Sequence, residues 1–576
     1  MSPDASPPSM PNATNIAAVL PRIAAERPEQ PAMRCPGRPG PDGFARYDVV
    51  LTYGALDARS DAIAAGLQAY GIRRGMRTVV MVRPSPEFFL LMFALFKLGA
   101  VPVLVDPGID RGALKQCLDE AAPEAFIGIP LAQFARRVFG WGLKTIRRVV
   151  TVGTRAWPLW RGETLARLER QGAALLAAKA ARGETTAMLA DTHGDEVAGI
   201  LFTSGSTGVP KGVVYRHRHF IAQIELLREA FGIAPGGVDL PTFPPFALFD
   251  PALGLTSIIP DMDPTRPANA DPRKLHDAIR RFGVTQLFGS PALMRVLAEH
   301  GEALPTLQRV TSAGAPVPPD VVSTMRGLLP ADAQFWTPYG ATECLPVAVI
   351  EARELETTRE ATEGGAGTCV GRPVAANTVR IIRILDDAIA YWRDDYVVGP
   401  GVIGEITVAG PSATNEYFAR PEATRMAKIR ERVSAREERI VHRMGDLGYF
   451  DAEGRLWFCG RKSHRVETAG GLMTTEQIEP IFNTHRRVAR TALVGVGARG
   501  MQTPVLCVEL KAGVPESEWV HVQAELERMA MRETKTARIH HFLRHPGFPV
   551  DIRHNAKIGR EKLAEWAKAQ LRGVLG

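Results

Sequence analysis

With 576 residues the chain is too long for one hydrophobic core, so two or more domains are expected. Hydrophobic residues at 45% and charged residues at 23% are ordinary values for a globular protein. The net charge of +8 comes from 70 basic and 62 acidic residues mixed along the chain, with no basic stripe carrying interleaved aromatics. That argues against a nucleic-acid partner, and the mild positive field suits anionic small molecules or loose contact with an anionic surface.

Residues 1–14 are rich in Pro, Ser and Asn and are expected to be loose, with no basic region followed by an apolar core of the kind a secretory signal needs. Cys35, Cys117, Cys344, Cys369, Cys459 and Cys507 are scattered without a Cys-x-x-Cys, so neither a disulfide framework nor a zinc site is indicated and a reducing, cytoplasmic setting is expected. From residue 15 to about 140, helix-period stretches such as 56–70 alternate with β-rich runs such as 78–82, a pattern of α/β architecture with a largely parallel sheet. The strongly apolar stretch from Phe88 to Val105 is interrupted by Lys97, Gly99 and Pro102 and is short for a membrane span. It predicts a buried helix over Pro86–Leu98 followed by a core strand over Val101–Val105, in a soluble protein. Residues 155–195, polar and rich in Ala, Arg and Gly, read as an exposed connection.

The apolar run from Val197 to Phe202 reads as a strand, and it enters Thr203-Ser204-Gly205-Ser206-Thr207-Gly208-Val209-Pro210-Lys211-Gly212. Small residues let backbone N–H groups converge on anionic oxygens, hydroxyls add donors and the lysine supplies charge, which is what phosphate binding requires. The spacing is not that of a Walker A loop, which needs Gly-Lys where Pro210-Lys211 stands and a Ser or Thr after the lysine. A plain surface turn is the bland alternative, and the preceding strand and ten-residue order speak against it.

Downstream, His217 and His219 are spaced like strand-face metal ligands, but no third ligand is apparent. The stretch from Gln286 to Met294 reads as a strand entering a helix with Pro291 early in it. Residues 425–443 form a dense Arg/Glu run whose spacings suit a solvated helix. From about Lys462 the pattern changes to short strands and helices, as in a small separate domain. Gly495-Val-Gly-Ala-Arg-Gly500 fits G-x-G-x-x-G after a strand, yet no suitable helix follows, so it reads as a turn and not a dinucleotide site.

The loop Thr-Ser-Gly-Ser-Thr-Gly-x-Pro-Lys-Gly resembles that of the adenylate-forming superfamily of acyl-CoA synthetases, peptide-synthetase adenylation domains and beetle luciferases. Further family motifs follow in order: Thr311-Ser-Ala-Gly-Ala-Pro316, Tyr339-Gly-Ala-Thr-Glu343, Gly404-Glu405, Pro421-Glu-Ala-Thr424, Asp446, Gly460-Arg461 and Asn555-Ala-Lys557-Ile-Gly-Arg560. The resemblance spans residues 50 to 560. It implies an α/β fold with a large N-terminal domain of parallel-rich sheets and helices, residues 1–461, and a small mobile α+β C-terminal domain, residues 462–576. The cofactors it implies are ATP and magnesium.

The same resemblance implies the roles. Thr203, Ser204, Gly205, Ser206, Thr207 and Lys211 would hold the β- and γ-phosphates. Glu343 would bind magnesium, with Thr207 joining it. Thr342 would contact the α-phosphate, and Tyr339 would stack on adenine along Gly314, Ala315 and Pro316, beside Gly340 and Ala341. Asp446 would accept the ribose hydroxyls with Arg461 nearby, and Lys557 would bridge the carboxylate and the α-phosphate as charge develops. An aromatic segment from Pro244 to Pro251 lies where relatives border the acyl pocket.

Thiol-using relatives often carry Gly-Arg-x-Asp/Lys-x-x-Ile-Lys at the hinge. Here Ser463 replaces the Asp or Lys, Glu467 replaces the lysine, and Ala556 replaces the glycine before Lys557. The segments 82–92, 102–110 and 462–471 resemble the branch that forms β-lactones in bacterial long-chain olefin biosynthesis. That branch implies ATP-dependent activation of a long-chain 2-alkyl-3-hydroxy acid and closure by its own β-hydroxyl. Its implied partners are neighbouring pathway enzymes, in particular a β-lactone decarboxylase, with weak membrane proximity. A long-chain fatty acyl-CoA ligase, an acyl-AMP ligase, and a noncatalytic acyl- or nucleotide-binding protein that keeps the fold are the alternatives.

Overall fold

The structure, a computed structural model, describes residues 14–105, 109, 111–153, 162–203, 210–550 and 558–575. The chain divides into two compact units. Met1–Asp261, Arg273–Gln286 and Thr414–Pro421 form the first, and Met262–Pro272, Leu287–Ala413 and Glu422–Gly576 the second.

The first unit contains a seven-stranded sheet ordered Glu163–Thr164, Arg148–Thr151, Ala125–Gly128, Arg77–Met81, Val101–Val105, Val197–Thr203 and Lys211–Arg216. Every neighbouring pair is parallel except the last, where Lys211–Arg216 returns antiparallel beside Val197–Thr203. Strands of a parallel sheet are covered on both faces and so read as short apolar runs rather than alternating ones. The apolar stretch expected as helix and strand is helix Pro86–Leu98, stopped by Gly99 at φ 67°, and strand Val101–Val105. Lys97 is only 1% exposed in that helix, and its Nζ lies 2.6 Å from both Asp57 and Asp61. Those two carboxylates stand four residues apart on helix Tyr53–Tyr70, so one face of it neutralises a cation buried in the other.

Residues 155–195 differ from the expectation of an exposed connection. Leu165–Ala181 is a helix whose Leu165, Leu168 and Gly172 are buried. A Cβ on Gly172 would sit 1.8 Å from the Ala62 carbonyl oxygen, so the missing side chain is what lets this helix and Tyr53–Tyr70 touch backbone to backbone. A compositional reading sees the alanines and arginines of this stretch but not the partner helix.

In the second unit the strands run in the order Thr378–Ile382, Gly404–Ala409, Glu438–Phe450, Leu456–Arg461, Thr368–Pro373, Cys344–Glu351, Gln334–Ala341 and Arg309–Ser312. The Arg/Glu run is not a solvated helix. After the short helix Pro421–Ala427, strand Lys428–Arg432 pairs antiparallel with Glu438–Phe450. Glu431 there accepts from Arg380 and Arg439, so charges that looked solvated are paired across strands.

Toward the C-terminus a separate core forms around Val466, Ile478, Phe482, Leu493, Leu506, Val522, Leu526 and Phe542. It belongs to a three-stranded sheet, Val488–Val496, Thr503–Leu510 and His541–Arg544, with helices Thr475–Asn483 and Trp519–Ala530. This is the small α+β C-terminal domain. Gly495 and Val496 end the first of these strands, and the rest of the motif, to Gly500, lies in the turn to the second, so the motif is no dinucleotide loop.

Candidate active site

The phosphate-loop motif sits at the carboxyl end of a parallel strand, where open α/β sheets bind ligands. Strand Val197–Thr203 runs into it and strand Lys211–Arg216 leaves it, with Thr203 opposite Lys211 in the ladder. Ser204, Gly205, Ser206 and Thr207 lie outside the described residues, as do the Thr203 side chain and Lys557. At the base of the loop the Lys211 ammonium stands 5.1 Å from the centre of the Tyr417 ring, a cation–π contact. His217 and His219 are structural. His217 Nδ1 accepts from the Ile16 amide and His219 Nδ1 from the Arg216 amide, so both stitch the start of helix His217–Phe231 in place. Burial pushes His217 down to about 4, which keeps it neutral and able to accept.

In the second unit, Gln334–Ala341 and Cys344–Glu351 form an antiparallel hairpin. Thr342 and Glu343 are its turn, and the ladder slips between Tyr339 and Ala341. Gly340 is needed at that slip, because a Cβ there would come within 2.8 Å of the Cys344 carbonyl oxygen. Strand Arg309–Ser312 runs parallel to Gln334–Ala341 with Thr311 opposite Trp336. That register carries Gly314, at φ 103°, with Ala315 and Pro316 to the same end of the sheet as Tyr339.

Asp446 and Arg461 are cross-strand partners on Glu438–Phe450 and Leu456–Arg461, and Arg461 Nη1 lies 3.0 Å from Asp446 Oδ1. The Tyr339 hydroxyl donates to Asp446 Oδ2 at 2.6 Å, and the Tyr339 ring centre is 5.9 Å from that of Phe458. Three predicted site residues, from three strands, therefore meet at one carboxylate. That carboxylate is only 6% exposed. Burial pushes it above its usual range, opposed by Arg461 and by the Tyr339 hydrogen bond. Burial, with the Asp446 charge beside it, also drives the Tyr339 hydroxyl well up, so it stays protonated and donating.

Oδ2 is taken by Tyr339. Oδ1 is paired with the Arg461 guanidinium at 3.0 Å and has no other partner among the described residues, so a lone pair is left over. A buried carboxylate oxygen with an unused lone pair is costly unless a ligand donor fills it. Glu343 adds negative charge that reaches both Asp446 and Arg461. The set thus offers an aromatic face, a buried acceptor suited to a hydroxyl, a guanidinium and a carboxylate at a hairpin turn. A nucleoside with its polyphosphate and a hard cation uses that donor set.

The sequence did not single out Phe458 or the ion network behind Arg461. Glu405 Oε2 lies 2.6 Å from Arg443 Nη2 and 3.1 Å from Lys462 Nζ, with Arg443 and Glu405 each 2% exposed. Arg465, equally buried, reaches Asp386 Oδ2 at 2.6 Å and Glu467 Oε1 at 2.5 Å. Glu405 belongs to the Gly-Glu motif, which was legible, but its partners lie 38 and 57 residues away.

The family model of AMP-binding enzymes matches residues 20–418. The chain is 69% identical over 556 residues to an olefin β-lactone synthetase of Xanthomonas campestris pv. campestris, covering 96% of this chain and 98% of that one. It is 70% identical over 558 residues to an olefin β-lactone synthetase of Stenotrophomonas maltophilia, covering 97% and 98%. Among solved structures, an amide bond synthetase from Marinactinospora thermotolerans superposes with a TM-score of 0.74 at 20% identity, covering 96% of this chain and 99% of that one. The O-succinylbenzoate coenzyme A synthetase of Bacillus subtilis in complex with AMP superposes with a TM-score of 0.71 at 19% identity, covering 95% and 97%. At such identities these two speak for the fold alone. The motifs, the fold and the matched family agree, and the chain belongs to the AMP-binding enzymes.

Proposed function

We propose that the protein activates a long-chain 2-alkyl-3-hydroxy fatty acid with ATP and closes it to a β-lactone. The observation that carries the adenylation step is the buried Asp446 carboxylate, which accepts from Tyr339 through Oδ2, pairs with Arg461 through Oδ1 and keeps a lone pair of Oδ1 for a ligand. A ribose hydroxyl satisfies it, and Tyr339 then lies where adenine can stack along Gly314, Ala315 and Pro316, with Gly340 and Ala341 flanking. Lys211 and the loop from Thr203 to Thr207 take the β- and γ-phosphates, Thr342 the α-phosphate, and Lys557 the charge that develops between carboxylate and phosphorus. Glu343 and Thr207 would hold magnesium, which when bound neutralises phosphate oxygens. The small domain that brings Lys557 comprises residues 462–576, against 1–461 for the rest.

In the first step a carboxylate oxygen attacks the α-phosphorus and the bond to pyrophosphate breaks. In the second, the substrate's β-hydroxyl oxygen attacks the acyl carbon, the acyl–AMP bond breaks and the hydroxyl loses its proton. Two relatives of about 70% identity carry the name olefin β-lactone synthetase, which supports the lactone branch. An internal nucleophile needs no second substrate site, and its proximity offsets part of the ring strain. The reaction would run in the cytoplasm beside the enzyme that consumes the lactone, a β-lactone decarboxylase.

Mixing the enzyme with magnesium, ATP and such an acid, without any thiol, tests this. A β-lactone with one AMP per ring is the expected product. AMP release only after coenzyme A is added, with a thioester as product, would overturn the lactone step and leave the adenylation step standing.

A further inference from the structure

Helix Pro130–Phe139 is built inside out. Its large apolar side chains face away from the protein, with Leu131 64%, Phe134 57% and Val138 58% exposed. Spacings of three and four residues put these three on one stripe of the helix. Leu143, just beyond the helix, is 49% exposed as well. The side turned to the protein carries Gln133 and Arg136, both buried, with Ala132 and Ala135 packed on the apolar core and Phe139 at the helix end stacked on the buried Trp141 at 5.6 Å. Gln133 Nε2 donates to the Val150 carbonyl at 2.9 Å, and the Arg136 guanidinium lies 5.5 Å from the centre of the Phe126 ring. The polar residues are thus the ones fixed by the fold. Hydration disfavours a stripe of Leu, Phe and Val in water, and scattered exposed apolar residues do not line up this way.

Along the sequence the charge of the segment that carries the stripe is one-sided. Between Glu124 and Glu163 the sequence has no acidic residue, while it carries Arg136 and Arg137 in the helix, Lys144 and Arg147 in the connection after it and Arg148 at the start of strand Arg148–Thr151. Arg137, Lys144 and Arg147 are exposed. An apolar stripe flanked by cations is the composition of a helix that lies in the headgroup region of a bilayer, apolar side down.

We infer that helix Pro130–Phe139 docks the protein on an anionic phospholipid surface, with Leu131, Phe134, Val138 and Leu143 inserted among the acyl chains and Lys144 and Arg147 on the headgroups. This docking depends on no particular substrate. No described helix is long and apolar enough to cross a membrane, so the attachment is peripheral and reversible.

Full-length protein sedimented with vesicles tests it. Vesicles of phosphatidylcholine with about one third phosphatidylglycerol should pull the protein down, those of pure phosphatidylcholine should do so far less, and added salt should weaken the attachment. The double substitution Phe134→Asp with Val138→Asp should weaken binding at least tenfold, and Lys144→Glu with Arg147→Glu about as much. The milder Leu131→Ser serves as a further probe on an equally exposed position. In each variant the melting temperature and the ATP–pyrophosphate exchange rate should stay at wild-type values. Equal recovery with neutral vesicles, no recovery with anionic ones, or binding indifferent to the substitutions would overturn the inference. So would a wild-type oligomer that Phe134→Asp with Val138→Asp dissociates, since the stripe would then be covered by a second copy of the chain.

Discussion

Replacing Asp446 by Asn isolates the acceptor on which the nucleotide reading rests. Asp446 offers two oxygens, one accepting from Tyr339 at 2.6 Å and the other paired with Arg461 at 3.0 Å. Asn keeps the volume but turns one oxygen into a donor and removes the charge. Either the amide nitrogen meets the Tyr339 hydroxyl, which must then accept, or it faces the donor-only Arg461 and turns the ribose hydroxyl from donor to acceptor. A hydrogen bond from a neutral hydroxyl to a charged acceptor contributes about 1.5–3 kcal/mol. At about 1.4 kcal/mol per factor of ten, Asp446→Asn should lower kcat/KM for ATP roughly 10- to 100-fold. The assay is substrate-dependent ATP–pyrophosphate exchange with ATP and with 2′-deoxy-ATP. The wild type should prefer the ribonucleotide, and the variant should lose most of that preference. Tyr339→Phe, which removes a donor but leaves the carboxylate, should cost only a few-fold. An Asp446→Asn enzyme that keeps both its ATP constant within about twofold and its ribose preference would refute the assignment, and Asp446 would then be a residue of the fold only.

Two further outcomes follow from the ion network behind the site and from the C-terminal domain. Arg443→Met leaves Glu405 without its closest cation in a place 2% exposed, so unfolding should become easier by about 3–5 kcal/mol in denaturant titrations, and a change under about 1 kcal/mol would contradict the pairing. Glu476, bonded to Thr368 at 2.9 Å, has its carboxyl pushed up to about 7 by burial and by the neighbouring Glu479. Between its ordinary value of 4.5 and 7 the unfolded chain releases this proton while the folded chain keeps it, so this group's contribution to stability falls as pH rises through that window. Glu476→Gln should therefore stabilise the protein by up to about 3 kcal/mol above pH 7 and leave it unchanged below 4.5, which thermal melts across that range would read. A gain independent of pH would point to packing instead.

What the sequence made legible was what local pattern and motif order carry. Helix Pro86–Leu98 and strand Val101–Val105 fall where the apolar run and its Gly99 and Pro102 placed them. What it hid were partners distant in the chain. Lys97 looked like an interruption of a hydrophobic segment, and it is a buried cation answered by Asp57 and Asp61, forty and thirty-six residues earlier. The Arg/Glu run fits a helix by spacing, since charges three and four apart occur in it, but Arg380 recruits Glu431 from 51 residues away and the run becomes strand. At the site, Tyr339, Asp446 and Arg461 were each named from motifs, whereas their meeting at one carboxylate depends on a hairpin that pairs Asp446 with Arg461 and on a hydrogen bond spanning 107 residues. Motif order identifies the residues of such a site. Only the register of the strands says which of their atoms remain unsatisfied.

The hinge illustrates how departures from a family pattern acquire a physical meaning. Ser463 and Glu467 stand where thiol-using relatives carry Asp or Lys and Lys. Here Glu467 does not face solvent alone: with Asp386 it pairs Arg465, while Lys462 is drawn to Glu405 and to the Leu385 carbonyl at 2.7 Å. Both cations of the segment directly after Arg461 are therefore fastened to residues 385–386 and to strand Gly404–Ala409. Releasing Lys462 would take one of its two cations from Glu405, which is 2% exposed, at a cost of up to several kcal/mol. Asp386 and Glu467, 56% and 31% exposed, would lose pairs held near the surface. A thiol-using second step would require a second orientation and hence a hinge that lets go. The lactone step proposed above, whose hydroxyl is already present in the bound adenylate, would need no such release.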